Sequence, residues 1–164
     1  MTRHHHDLFR EGVITGAIGA AIVAAWFFGT DLIQGRPLST PSVLGQVLLF
    51  NITQPVVTPP QVGPVVAYTL LHIGAFVLFG IGVTQMVHLA MFSSLMRFAL
   101  MVLGVAFVLF FVFLTFAVFQ GTRHLFPWWS VLGATSLAAV GMGYYLMRRH
   151  PSLRRQFGRE PLGA

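Results

Sequence analysis

Long apolar runs dominate the chain, and four of them are long enough to cross a membrane. They cover residues 12–34, 65–92, 98–119 and 128–147, and Asp31 is the only charged residue within them. A helix needs about 20 residues to span roughly 30 Å of hydrocarbon. We therefore predict an all-α membrane protein with four transmembrane helices. The spans fill more than half of residues 1–164, which leaves a single membrane domain and no separate soluble one.

The composition excludes the ordinary soluble classes of protein. Hydrophobic residues make up 55% of the chain and charged residues only 9%, whereas soluble domains carry about 25% charged residues. A disordered chain is excluded as well, because disorder requires low hydrophobicity. Cysteine is absent. The chain therefore forms no disulfide and offers no thiolate nucleophile or cysteine ligand for zinc, haem or an iron–sulfur cluster.

The distribution of arginine predicts the orientation of the four helices. All ten basic residues are arginine, and only Arg36 and Arg123 fall on the side opposite the chain ends. Because positive residues prefer the cytoplasmic side, we predict a protein of the bacterial inner membrane with both termini and the basic tail 148–164 in the cytoplasm. This placement explains the net charge of +6 without a nucleic-acid partner. The eight arginines on the predicted cytoplasmic side are Arg3, Arg10, Arg97, Arg148, Arg149, Arg154, Arg155 and Arg159.

The segment between the first two spans is rich in proline, with six prolines between residues 35 and 64. Thr40 and Pro41 match a helix N-cap followed by proline at the first helical position. Residues 42–50 are mostly apolar but too few to span. We predict a short interfacial helix within a Pro-rich outer loop, followed by an extended return. The other two connections are short, which predicts an up-down bundle of antiparallel neighbours.

Small residues recur at every fourth position in two of the predicted helices. Such stripes let helix backbones approach closely, and close packing drives association in lipid. We expect the stripes to pack inside the bundle, with docking onto another protein as the alternative. The third span is almost uniformly Val, Leu, Phe and Ala, so we expect it to face lipid, an apolar partner or a pigment. The stripes are Gly12, Gly16, Ala20 and Ala24 in the first helix and Ser130, Ala134 and Ala138 in the fourth.

Few polar side chains lie within the spans, and those near the predicted outer side form one candidate site. Tyr68 and His72 are four residues apart and so share a helix face. One interpretation is a proton-transfer, quinone or cofactor site. The interpretation we favour is structural, with Asp31 paired to Arg36 or Arg123, and with Tyr68 and His72 bonded to loop carbonyls. The predicted outer polar cluster is Asp31, Arg36, Tyr68, His72 and Arg123, with His124 beside it.

Three histidines are candidate cofactor ligands, namely His72, His88 and His124. His72 and His88 lie on one span, sixteen residues apart, which is about 24 Å along a helix. A haem with two histidine ligands would therefore need His124 or a second chain. A single histidine can ligate the magnesium of chlorophyll, so a pigment stays open. We expect no metal site, we interpret His4–His6 as part of a solvated tail, and no motif of soluble-type catalysis is present.

A family likeness rests on residues 26–45 and on the start of the second span. The residues that carry it are Trp26, Asp31, Gly35-Arg36-Pro37, Thr40-Pro41, Tyr68-Thr69 and His72. In these positions the chain resembles uncharacterised four-helix membrane proteins of bacteria. The resemblance covers the first half of the chain and implies the fold. It implies no activity and assigns no functional residue.

Two classes of function follow from these observations. The spans carry no charge at their centres, and they lack a polar pore face and a set of cofactor ligands. We therefore expect a non-catalytic accessory subunit that contacts lipids and other membrane subunits, in a larger energy-converting complex of respiratory or photosynthetic electron transfer. The alternative is a small transporter or membrane enzyme that works through Asp31, Tyr68 and His72. Transporters commonly contain internal repeats or broken helices, and no convincing repeat is visible.

Overall fold

The computed structural model describes residues 2–90, 93–118 and 127–151. Within these ranges the chain is helical and contains no strand. The five helices are α1 (Thr2–Ile33), α2 (Ser39–Phe50), α3 (Val62–Ala90), α4 (Ser94–Val118) and α5 (Trp128–Arg149).

Four of the helices are long and apolar enough to cross a membrane, which confirms the predicted fold class. Their apolar segments are Leu8–Ile33, Val62–Ala90, Leu95–Leu114 and Trp128–Arg149. The shortest has 20 residues and the longest 29, close to or above the length that spans the hydrocarbon layer. The predicted ends of the second and third spans, at residues 92 and 119, lie outside the described residues.

The four long helices form a closed ring of sequential neighbours. Contacts join α1 to α3, α3 to α4, α4 to α5, and α5 back to α1. This order matches the predicted up-down bundle, in which short connections make consecutive spans antiparallel. We call the end that carries α2 the loop side, and the end that carries Glu11 and His150 the terminal side.

Glycine brings the backbones of α1 and α3 into direct contact. A Cβ added at Gly80 would clash with the backbone of Gly12 and Gly16, and a Cβ at Gly12 would lie 2.6 Å from the Cα of Ile81. The two backbones therefore touch directly, as small residues permit in membrane helices. We call Gly12, Gly16 and Gly80 the glycine seam. Sequence analysis selected the two glycines of α1 but assigned no packing role to Gly80.

The predicted stripe on α1 turns away from the interior before it ends. Gly12 and Gly16 are buried and Ala20 is 5% exposed, whereas Ala24 is exposed. Each residue advances about 100° around an α-helix, so a four-residue step drifts by about 40°. Three such steps rotate Ala24 by about 120° from Gly12. Ala24 therefore does not pack inside the bundle with the rest of the stripe.

The stripe on α5 faces the interior along its whole length. Ala134 and Ala138 are fully buried, and Ser130 is 3% exposed. The Trp26 indole nitrogen of α1 donates a 2.9 Å hydrogen bond to the Ser130 hydroxyl. This bond ties α1 to α5 on the loop side of the bundle. The small residues of α5 leave room for Ala20, Phe76 and other side chains of the central apolar cluster.

Helix α2 lies against the start of α3 and is held by its buried polar face. Gln46 is fully buried. Its side-chain nitrogen donates to the Val56 carbonyl, and its side-chain oxygen accepts from the Val56 N–H, both at 2.8 Å. The Ser42 hydroxyl accepts from the Gln61 N–H at 2.9 Å. These bonds pair backbone groups of the Pro-rich segment between α2 and α3. Burying such groups without a hydrogen-bond partner would be costly.

The start of α2 differs from the one that the sequence predicts. Thr40 was expected to be the N-cap, but the helix begins at Ser39 and Leu38 occupies the N-cap position. Leu38 has a φ of 63° and contributes no side-chain hydrogen bond to the helix end. The N–H group of Thr40 at this helix end is instead bonded by a residue of α1, described next.

Candidate functional site

Asp31, the charged residue in the apolar part of α1, is buried beneath the start of α2. It is 2% exposed. One carboxylate oxygen accepts a 2.7 Å hydrogen bond from the Thr40 N–H. The other accepts from the hydroxyls of Thr40, at 2.7 Å, and Ser39, at 3.1 Å. Three donors therefore surround this carboxylate.

The position of Asp31 explains how its charge is stabilised. The first turn of a helix carries unpaired N–H groups and the positive end of the helix dipole. A side-chain oxygen usually bonds these groups from the N-cap itself. Leu38 cannot do so, and Asp31 takes its place from the neighbouring helix. The carboxylate thus acts as an N-terminal cap for α2 and joins α1 to it.

Arg36 does not form the ion pair expected with Asp31. Its side chain donates through Nε and Nη2 to the Gln34 side-chain oxygen. Only the backbone of Arg36 meets Asp31, through a 3.0 Å bond from its N–H to the Asp31 carbonyl. The turn that follows α1 directs the Arg36 side chain away from the buried carboxylate. The other expected partners, Arg123 and His124, lie outside the described residues.

Tyr68 and His72 share a face of α3, as their spacing predicts. Their rings are stacked with centroids 5.8 Å apart, and His72 also contacts the Phe76 ring at 4.7 Å. The Nε2 atom of His72 lies 3.2 Å from the Ala20 carbonyl oxygen of α1. Because a carbonyl only accepts, Nε2 carries the proton in this bond. The carbonyl that His72 satisfies therefore belongs to α1 and not to the loop.

Two cavities meet at the Tyr68 and His72 side chains. The first, the loop-side cavity, lies between α1, α2 and α3, has a volume of about 540 Å³ and is also bordered by Asp31 and Ala24. The second, the central cavity, has a similar volume of about 540 Å³ and extends between α3, α4 and α5. Tyr68 and His72 border both cavities, as do Val23 and Phe27 of α1. Both cavities are lined mainly by apolar side chains, which suit a lipid tail or another apolar molecule.

A third cavity shows that α4 is loosely packed along much of its length. It has a volume of about 300 Å³ and lies between α4 and its neighbours α3 and α5, beside Gly104 and Met142. Phe107, which borders both this cavity and the central one, is the only buried hydrophobic residue in the part of α4 whose side chains are described. Helix α4 therefore has gaps on its inner face at two levels.

A second group of polar side chains lies on the terminal side, and sequence analysis did not identify it. We call Glu11, His88 and His150 the terminal cluster. One Glu11 oxygen lies 2.8 Å from Nε2 of His150, and the other lies 3.5 Å from Nε2 of His88. The two imidazole rings meet edge to face with centroids 4.9 Å apart. The cluster joins α1, α3 and the residue that follows α5.

One sequence signal was sufficient to find the terminal cluster. Glu11 precedes the first apolar run, and His150 follows the last one. If four helices cross the membrane, Glu11, His88 and His150 all lie at the same membrane face. The residues were overlooked because each lies at the edge of a span, where polar side chains are ordinary. His88 was considered only as a cofactor ligand.

The histidines proposed as cofactor ligands are separated in the bundle. His72 lies toward the loop side and donates to Ala20, while His88 lies on the terminal side against His150. Among the described residues, His72 faces no second histidine across the apolar interior. His124, the remaining candidate, lies outside the described residues.

The chain matches no known family model, and no curated protein or solved structure is significantly similar to it. Its function is therefore argued from the two polar sites, the three cavities and the surface of the bundle.

Proposed function

We propose that this chain is a non-catalytic accessory subunit of a larger membrane complex. The observation that carries the proposal is the incomplete packing of α4. Its inner face borders two cavities, of about 540 and 300 Å³. Its outer face exposes a continuous series of large apolar side chains, including Leu95, Phe98, Val105, Leu109 and Phe113.

Packing energetics favour a partner along such a helix. In lipid, helices associate through van der Waals packing and interhelical bonds, because the tails are as apolar as the side chains. A gap between helices removes the van der Waals contacts that its lining atoms would otherwise make. A helix of another subunit, or the tail of a lipid or pigment held between subunits, would restore them. The gaps beside Phe107 and Gly104 are of the kind that assembly fills.

The hydrogen bonds of the loop side support a non-catalytic role. The three hydrogen bonds that described residues donate to the Asp31 side chain all come from α2. The Nε2 atom of His72 bonds to the backbone of α1. Both side chains therefore act in holding helices together. A catalytic base or proton carrier needs an atom that faces the reacting group.

The host complex that we propose is energy-converting, in respiratory or photosynthetic electron transfer, in the bacterial inner membrane. Support comes from the Phe-rich third span and from the aromatic contacts that link Phe76 to Phe107 and Phe111. Both chain ends are proposed to be cytoplasmic, because eight of the ten arginines fall on the terminal side of the predicted topology.

A small transporter or membrane enzyme is the second candidate, and one observation favours it. Asp31, Tyr68 and His72 all border the loop-side cavity. An apolar substrate in that cavity would meet all three side chains. The two candidate functions predict different effects on activity when these side chains are substituted.

Co-purification in mild detergent tests the docking role of α4. Val105 on α4 is 61% exposed, and Leu78 on α3 is 73% exposed. We expect Val105→Trp to release partner subunits detected by mass spectrometry, and the control Leu78→Trp to retain them. Absorbance of the purified assembly reports any haem or chlorophyll. A chain that purifies without partners, or loses them equally in both variants, contradicts the proposal. Retained partners with activity abolished by His72→Ala favour the second candidate.

A further inference from the structure

We propose that the terminal cluster of Glu11, His88 and His150 binds a divalent transition-metal ion. The three side chains come from α1, α3 and the residue after α5, so the ion would fasten three parts of the bundle. Two imidazole nitrogens and one carboxylate oxygen are a ligand set that first-row transition metals prefer. The inference is independent of the accessory role proposed above.

The donor atoms are already close to a coordinating arrangement. One ligand atom from each of the three residues lies within 4.8 Å of the other two. The measured separations from Glu11 are 2.8 Å to His150 and 3.5 Å to His88. Metal–ligand bonds of about 2.0–2.1 Å in a tetrahedral site place neighbouring donors about 3.3 Å apart. Adjustments of about 1 Å or less in side-chain position would bring the ring nitrogens and the carboxylate to this spacing.

An unsatisfied atom gives a second reason to place an ion here. Nε2 of His88 is buried and makes no hydrogen bond to any described residue, although it is 3.5 Å from the Glu11 carboxylate. The 3.5 Å separation from the carboxylate is longer than the usual hydrogen-bond distance of about 2.7–3.2 Å. A buried polar atom without a partner is costly. A metal ion between Nε2 and the Glu11 oxygen would give both atoms a ligand bond.

The surrounding charges make Glu11 the decisive ligand. Arg10 and Arg149 line the same small cavity as Glu11 and His150, which has a volume of about 230 Å³. Arg149 is also engaged with Tyr145, to whose hydroxyl it donates at 3.4 Å. Glu11 is the only carboxylate among the described residues that border this cavity. Without it, two guanidinium groups would repel a divalent ion, so neutralising Glu11 should weaken binding most.

An alternative explanation of the same contacts is an ion pair between Glu11 and a protonated His150, with no metal bound. The two arrangements differ in their response to Zn²⁺. An ion pair gains nothing from the metal, whereas a metal site binds it and is stabilised by mass action. The residues His4–His6 would bind zinc in either case, so they must be removed from the measurement.

The test uses the full-length chain in detergent, with His4, His5 and His6 replaced by Gln. Zinc binding is measured by competition with a chromogenic chelator, and thermal unfolding is followed with Zn²⁺ or Mg²⁺ added. We expect one Zn²⁺ per chain and a higher Tm with Zn²⁺ but not with Mg²⁺. We expect Glu11→Gln and His150→Gln to weaken binding at least 100-fold, since even outer-shell partners contribute about 10–100-fold. The matched control, His72→Gln, should bind Zn²⁺ like the background chain.

Two results would overturn the proposal. One is a background chain that binds no Zn²⁺, and the other is zinc binding unchanged by both cluster substitutions. The proposal can be tested even if the cluster variants fail to fold. Co²⁺ is then added to the background chain, and its absorption spectrum reports the coordination number of the bound ion. Strong visible absorption of a four- or five-coordinate Co²⁺ ion is expected. The weak spectrum of a hydrated six-coordinate ion would contradict the site.

Discussion

At the scale of single residues, Asp31 shows how a helix end can stabilise a charge within an apolar segment. The carboxylate is 2% exposed, yet it meets three donors at the start of α2. Its role is that of an N-cap supplied from a different helix. The sequence showed that Asp31 needed a partner. It could not show which one, because Arg36 and the hydroxyls of Ser39 and Thr40 are all near Asp31 in sequence.

Removing this carboxylate should loosen α2. Asp31→Ala leaves the Thr40 N–H and two hydroxyls without their acceptor, and we expect a loss of about 2 kcal/mol in the free energy of unfolding. Asp31→Asn keeps an acceptor oxygen but loses the charge at the helix end, so about half of that loss is expected. Thermal unfolding of the purified chain measures both.

Gln34→Ala is the control for the Asp31 variants. Its side chain meets only Arg36 among the hydrogen bonds described for it, at an exposed position. It should change stability by less than about 0.5 kcal/mol. Equal losses in Gln34→Ala and Asp31→Ala would mean that the cap does not stabilise α2.

At the scale of helices, the glycine seam sets the distance between α1 and α3. Four-residue spacing allowed Gly12 and Gly16 to be selected from the sequence. It did not identify Gly80, because a single glycine among Gly74, Gly80 and Gly82 carries no sign of which one faces a partner. The facing residue depends on the rotation of α3, and periodicity in an almost wholly apolar helix does not reveal rotation.

These glycines of α3 provide a matched experiment. A Cβ at Gly80 would clash with the backbone of α1, whereas a Cβ at Gly82 meets no atom within 4 Å. We expect Gly80→Ala to destabilise the bundle by about 1–3 kcal/mol. Gly82→Ala should be neutral or stabilising by up to about 1 kcal/mol, because alanine favours the helix.

Thermal unfolding of both glycine variants under identical detergent conditions provides the comparison. Gly16→Leu, which adds a larger side chain at the seam, should be worse than Gly80→Ala. If Gly80→Ala and Gly82→Ala unfold at the same temperature, the two backbones are not in direct contact.

At the scale of the whole molecule, apolar run length was enough to predict the fold. The four spans, the short helix in the Pro-rich segment and the order of neighbours all follow from where apolar runs begin and end. The polar sites could not be predicted from the lengths of the apolar runs. Glu11 and His150 are separated by 139 positions in sequence, and their side chains are 2.8 Å apart in the structure. Only the packed bundle shows that these two residues are in contact. The sequence places Gln46 within the short predicted helix of residues 42–50, but it does not show that this side chain holds the segment that follows.

The orientation of the molecule can be tested because the chain contains no native cysteine. Thr58 in the return segment and Pro151 after α5 are both exposed. The arginine distribution predicts that Thr58→Cys reacts with an impermeant maleimide in intact cells and that Pro151→Cys reacts only after lysis. The reverse pattern would place both chain ends outside. Labelling of both sites in lysed cells is the control for accessibility.

The contact between Glu11 and His150 also has a consequence for biosynthesis. Translation at about 5–20 residues per second takes roughly 7–28 s to add the 139 residues that separate them. During that interval α1 is already in the membrane, but its last partner does not yet exist. Helices α1 and α3 can meet earlier. The hydroxyls of Thr15 and Thr84, which lie 3.5 Å apart between these helices, are separated by only 69 residues of sequence. The nascent bundle therefore depends first on the α1–α3 pair, and its terminal side closes only when the ribosome has passed residue 150.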